Sequence, residues 1–154
     1  MTAEISIASE SPLTEDAQRL LAELTTELAA RYEDDGGAYS FNPADVLVPR
    51  SAFLIARRNG IAVGCGALRP LKPEIGEIKR MYVTPEARGL GLSRLLLTRL
   101  ETLAREFGYA WLWLETGTKQ PEALGLYASC GFQRRESYGY YKNDPASVCF
   151  EKRL

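Results

Sequence analysis

Between residues 77 and 93 the chain sets an alternating segment, Glu77–Val83, before a glycine-rich run, Arg88-Gly89-Leu90-Gly91-Leu92-Ser93. That run opens onto an apolar stripe at helical spacing. Backbone N–H groups in the first turn of a helix have no intrahelical partner, and the helix dipole adds partial positive charge there. Glycines at 89 and 91 remove side chains that would hold an anion away from those donors. The chemistry on offer is anion binding, with a pyrophosphate as the expected ligand. No histidine occurs in the chain, which excludes imidazole bases, His-based triads and His metal ligands. Acid–base work therefore falls to carboxylates, tyrosines, lysines, a cysteine or water. Cys65, Cys130 and Cys149 are widely spaced with no CxxC pair, so they read as buried thiols, and no metal site is expected.

Periodicity supplies the elements that must hold these groups. Ile5 and Ile7 mark a first strand over Glu4–Ala8. Ser11-Pro12 starts a helix, which Leu13, Ala17, Leu20, Leu21, Leu24 and Leu28 carry to about Tyr32. Residues 38–50, with Pro43 and Pro49, read as a loop or a short second helix. Phe53–Arg57 and Ile61–Leu68 flank Asn59-Gly60, a strong hairpin signal. Gly64 and Gly66 in the second of these strands point to a bulge or a close backbone approach, and Pro70 closes it. Leu92, Leu95, Leu96, Leu100, Leu103 and Phe107 mark a long helix that stops at Gly108. Trp111–Glu115 reads as a strand covered on both faces. Pro121 opens a shorter helix to about Ser129, and Gln133–Tyr141 and Ser147–Lys152 read as the last strands.

A length of 154 residues fits one domain, and 45% hydrophobic with 25% charged residues is ordinary for a globular protein. The net charge of −1 argues against nucleic acid or an anionic membrane surface as a partner. No apolar run approaches the ~18 residues of a membrane span, and residues 1–12 lack a signal-peptide core, so a cytoplasmic location is expected. A dinucleotide-binding unit is disfavoured because no G-x-G-x-x-G follows the first strand.

The Arg88–Ser93 loop sits after a strand and before a helix, and Ala123-x-x-Leu126-Tyr127-x-x-x-Gly131-Phe132 follows downstream. Together they resemble the GNAT acyltransferase superfamily, from about Phe53 to Phe150. The resemblance implies one α/β domain over residues 1–154, built on a mixed, mostly antiparallel, twisted sheet of about six to seven strands. That sheet would splay between two central parallel strands and carry helices on both faces. The implied reaction moves the acetyl group of acetyl-CoA to a primary amine of a small molecule or peptide, by direct attack in a ternary complex. A non-catalytic acyl-CoA-binding module on the same fold is the alternative.

Carried over by position, Arg88, Gly89, Leu90, Gly91, Leu92 and Ser93 would wrap the CoA pyrophosphate. Met81, Tyr82 and Val83 would lie along the thioester and pantetheine, and Gln120 and Tyr127 would complete the cofactor site. Ser93 stands where the family usually has Gly or Ala, and Gln120 where many members have Asn. Glu77 matches the glutamate base of several members, and Tyr127 matches the acid that meets the departing thiolate. Arg80, with Tyr138, Tyr140 and Tyr141, is read as a contact for a carboxylate-bearing amine. Lys79, Arg80, Arg69 and Lys72 bind the CoA 3′-phosphate or an acidic substrate, or else form a solvated rim. Homodimers are common in the family, and no residue here specifies one.

Overall fold

The computed structural model describes residues 3–154. Met1 and Thr2, the first residues of the stretch lacking a signal-peptide core, lie outside them. In chain order the elements are β1 (Ile5–Ser9), α1 (Glu15–Tyr32), β2 (Ala52–Arg58), β3 (Ile61–Lys72) and β4 (Ile75–Val83). They continue with α2 (Leu92–Glu106), β5 (Trp111–Gly117), α3 (Pro121–Ser129), β6 (Gln133–Arg135) and β7 (Ser147–Arg153). The strands form one seven-stranded sheet in the order β1-β2-β3-β4-β5-β7-β6. Every neighbouring pair is antiparallel except β4 with β5, which are parallel. Among the described residues no helix is long and apolar enough to cross a membrane.

Alternation along β2 sorts the two cores. Phe53 and Ile55 pack under α1 with Leu20 and Leu24, while Leu54 and Ala56 pack under α2 with Leu96 and Leu100. Tyr127 of α3 joins the α2 cluster, so helices cover both faces as expected. Each fully buried leucine in these stripes contributes roughly 1.5–3 kcal/mol. Leu13 and Leu95, which fall at helical spacing with the stripes, are exposed instead. Thr14 caps α1, its hydroxyl accepting from the Ala17 N–H at 3.1 Å, a contact worth about 1 kcal/mol. Residues 38–46 form two short 3-10 turns, Ala38–Ser40 and Pro43–Val46, which lie over the α1 side of the sheet.

Two boundaries and one burial pattern differ from the periodicity reading. β3 continues through Pro70 to Lys72, because its pairing with β2 ends at Leu68 and the missing proline N–H is not needed beyond it. β5 is half-buried at Trp111 and Trp113 and tightly covered only on the Leu112, Leu114 face. β6 stops at Arg135, and Gly139–Tyr141 forms a 3-10 turn. That turn swings Tyr138 and Tyr141 inward to polar partners on β4, Glu77 and Lys79, which a straight strand would not reach.

Two irregularities shape the middle of the sheet. Between the pairs Cys65↔Tyr82 and Ala67↔Lys79 the β3–β4 register shifts, and Arg80 takes φ 55°. This is a bulge in β4 that sits opposite Gly66, where a Cβ would lie 2.7 Å from Met81 Sδ. The glycine is therefore a close-approach position. The β4–β5 pairing runs only from Ile75↔Trp111 to Ile78↔Leu114. Beyond Ile78 the two strands part, and the sheet opens as the resemblance implied.

Candidate active site

The loop after β4 is built for an anion. Gly89 and Gly91 have φ 82° and 77°, a region that side chains strain to enter, and a Cβ on either would meet no atom of the chain within 4 Å. Gly91 is the N-cap of α2 and no side chain caps that end. The first-turn amides are thus left for a ligand. Arg88 holds the loop in place, its Nε donating to the Val83 carbonyl at 3.0 Å and its Nη2 to Glu27 at 2.7 Å. Arg94, in the first turn of α2, donates to Ser129 and Cys130 of the α3 end, with no carboxylate partner among the described residues.

A cleft of about 630 Å³ runs from this loop to the opening between β4 and β5. Met81, Tyr82, Val83, Arg88, Gly89, Gly91, Leu92, Ser93, Gln120 and Tyr127 all line it, whereas Leu90 does not and is half exposed. Gln120 is oriented by its Oε1, which accepts from the Tyr32 hydroxyl at 3.0 Å and the Gly117 N–H at 3.2 Å. Its amide donors remain for the cleft. The cleft thus has anion donors at one end, main-chain groups of a strand edge without a partner strand at the other, and apolar walls between. An elongated phosphate-bearing thioester such as acetyl-CoA fits that sequence of groups.

A second, smaller cavity of about 90 Å³ meets the cleft at Leu24, Met81, Gln120 and Tyr127. Glu115, Lys79, Arg80 and Ser40 also line it. Glu115 lies past the last β4–β5 pair, and the Ser147 hydroxyl donates to its Oε2 at 2.7 Å. Burial raises the pKa of this carboxyl. Tyr127 stands at the junction of both cavities, and burial pushes its phenol upward, which keeps it protonated. None of the three cysteines lines either cavity.

The acceptor-side residues are divided by the structure. Glu77 is only 1% exposed and lines neither cavity. Arg69 grips its Oε1 at 2.8 Å, and the Tyr138 hydroxyl donates to its Oε2 at 2.6 Å. Tyr138 is therefore committed to Glu77 and buried, while Tyr140 is 76% exposed and stacks edge-on against Tyr39 at 5.9 Å. Arg80 lines the small cavity but donates to Gly36 O at 3.0 Å and Thr25 Oγ1 at 3.3 Å. Sequence reasoning missed Glu115 altogether. Its one signal was a charged residue following the apolar run Trp111–Leu114, an expensive place for an idle charge.

Comparison with known proteins agrees with this geometry. Residues 15–132 match the Acetyltransferase (GNAT) family. A relative from Azospirillum brasilense, named IAA acetyltransferase, is 40% identical over 97% of this chain and 98% of its own. The crystal structure of a Klebsiella pneumoniae protein assigned as an acyl-CoA N-acyltransferase is 33% identical, covers 97% of both chains and superposes with a TM-score of 0.81. A GNAT family acetyltransferase from Elizabethkingia anophelis, solved with acetyl-CoA bound, shares the fold at 21% identity, 97% and 98% coverage and a TM-score of 0.72. With a family match over most of its length and a relative aligned end to end, the chain belongs to the GNAT family of acetyltransferases.

Proposed function

We propose that this protein transfers the acetyl group of acetyl-CoA to a primary amine, with both substrates bound at once. The observation that carries this reading is the meeting of the two cavities at the β4–β5 opening, with Tyr127 at the junction and Glu115 in the smaller one. Acetyl-CoA supplies an activated acyl carbon: the amine nitrogen forms a C–N bond to it as the C–S bond breaks and CoA leaves as thiolate. The amides of the Gly89–Ser93 loop and the first turn of α2 hold the pyrophosphate, and Arg94 adds positive charge beside it. Main-chain groups of β4 beyond Ile78 align the thioester and stabilise charge on its oxygen.

A primary amine is neutral in only roughly one part in a thousand at pH 7, so its proton must be removed before attack. Glu115 takes that role, since it lines the acceptor cavity and its raised pKa makes it a better proton acceptor near neutrality. Glu77 acts at one remove, holding Arg69 and Tyr138 in place. Tyr127 donates a proton to the departing thiolate.

The test is a panel of amines with acetyl-CoA, reading free thiol. Thiol release that depends on the amine, with intersecting double-reciprocal plots, is expected for a ternary complex; parallel plots would indicate an acyl-enzyme instead. Glu115→Gln should lower kcat by about 10²–10⁴-fold while acetyl-CoA still binds. It should also abolish the loss of activity that the wild type shows as pH falls through the raised Glu115 pKa. An unchanged rate in that variant removes Glu115 from the mechanism. Acetyl-CoA binding with no thiol release from any amine leaves an acyl-CoA-binding module.

A further inference from the structure

Several half-buried cations among the described residues have a carboxylate partner. Arg69 pairs with Glu77 and Asp45, Arg57 with Glu10 and Asp16, and Lys152 with Glu101. Lys79 and Arg80 do not. Lys79 is 8% exposed, and its Nζ has only the Ser40 hydroxyl at 3.2 Å and the Tyr141 hydroxyl. Arg80 is buried as well and meets only a carbonyl and a threonine hydroxyl. Neither forms an ion pair among the described residues.

The bulge explains how both reach one place. Consecutive strand residues normally point to opposite faces, but the positive φ at Arg80 breaks the alternation, and both side chains line the same small cavity. Two positive charges without an ion-pair partner in a confined space are costly: burial lowers the Lys79 pKa, and the carboxylates of Glu77 and Glu115 offset this only from beyond contact. An anion entering the cavity reverses that cost. Glu115 faces the same space from the other side of the opening. The cavity thus presents cations from β4 and one carboxylate from β5, within about 90 Å³.

We infer that the acceptor is a small zwitterion of the α-amino-acid type, its carboxylate held by Lys79 with Arg80 and Ser40, and its ammonium by Glu115. The inference rests on the acetyl-transfer reading and narrows it to a substrate class. Held this way, the nitrogen lies beside the base that deprotonates it, and the carboxylate is fixed one carbon away. A charge-assisted contact in a desolvated pocket is stronger than a neutral one, so an acceptor lacking the carboxylate loses both the contact and the relief of Lys79.

The test compares α-amino acids with their decarboxylated amines and their α-carboxamides, using the wild-type protein and acetyl-CoA. The amino acids should show kcat/KM at least tenfold above their decarboxylated counterparts. Lys79→Met should raise the KM for amino acids tenfold or more, with little change for the amines and none in acetyl-CoA affinity. Equal use of the decarboxylated amine by the wild type overturns the inference without needing any variant, and so does an unchanged preference in folded Lys79→Met. Should no acceptor release thiol, the acetyl-transfer reading fails, and melts of the CoA-bound protein still decide the carboxylate site. A rise in Tm with amino acids, absent with the amines and lost in Lys79→Met, sustains it; no difference refutes it.

Discussion

Glu77 and Glu115 are both strand carboxylates in different surroundings, and the roles proposed for them predict opposite responses to neutralisation. Glu77 has both oxygens engaged, by Arg69 and by Tyr138, and removing its charge leaves the half-buried Arg69 guanidinium with Asp45 as its one carboxylate. Breaking one side of such a pair costs about 3–5 kcal/mol, so Glu77→Gln should lower unfolding stability by about 3 kcal/mol in urea. Glu115 is the opposite case. Its native pKa is raised by burial, so the ionised form is penalised in the folded protein. That penalty is full above the raised native pKa and absent below the unfolded one. Glu115→Gln should therefore match or exceed wild-type stability at pH 7, with the advantage fading as pH falls through that window. Urea melts at pH 7 and pH 4 read both effects; a destabilising Glu115→Gln at pH 7 would refute the assignment. Equal or higher stability together with lost turnover in Glu115→Gln would mark the residue as one kept for chemistry.

At the scale of elements, the N-terminus of α2 carries the cofactor argument, and Gly91 is the position that tests it. An alanine there must hold φ near 77°, a strain of roughly 1–2 kcal/mol, but its Cβ touches nothing in the chain. Gly91→Ala should thus cost little in the melt and raise the acetyl-CoA Kd tenfold or more by titration calorimetry, because the added methyl projects toward the anion. An unchanged Kd would place the pyrophosphate elsewhere. This loop was legible because its signal is local: two glycines between an alternating strand and a helical stripe. So were α1, α2, α3 and the Asn59-Gly60 hairpin, where φ is positive at both turn residues. What could not be read depends on partners distant in sequence. The β4 bulge is set by β3 across the ladder, the early end of β6 by polar contacts 61 and 62 residues away, and the place of Glu115 by where β4 and β5 separate. Motif position places Glu77 where several family members have their base, and carries no sign of Arg69 and Tyr138 closing around it.

For the whole molecule, the opening between β4 and β5 is where the two cavities meet. The cleft walls come from α1 through Leu24, Glu27 and Arg31, from α2 through Leu92, Ser93 and Arg94, and from α3 through Ala123, Leu126 and Tyr127. These helices belong to two cores that the sheet otherwise keeps apart. A ligand filling the cleft links them, and binding only to the folded state stabilises by about 2.7 kcal/mol at a hundredfold excess over Kd. For a chain of this length each kcal/mol raises Tm by about 2–4 °C, so acetyl-CoA at that excess should raise it by about 5–10 °C. Hydrogen exchange should show where the gain arises. Protection should increase at the α2 N-terminus, the C-terminal half of α1 and the start of α3, and stay unchanged in β1 and β2, which do not contribute to the walls. A melt without a shift, or protection confined to one face of the sheet, would mean that the cleft does not bridge the two cores.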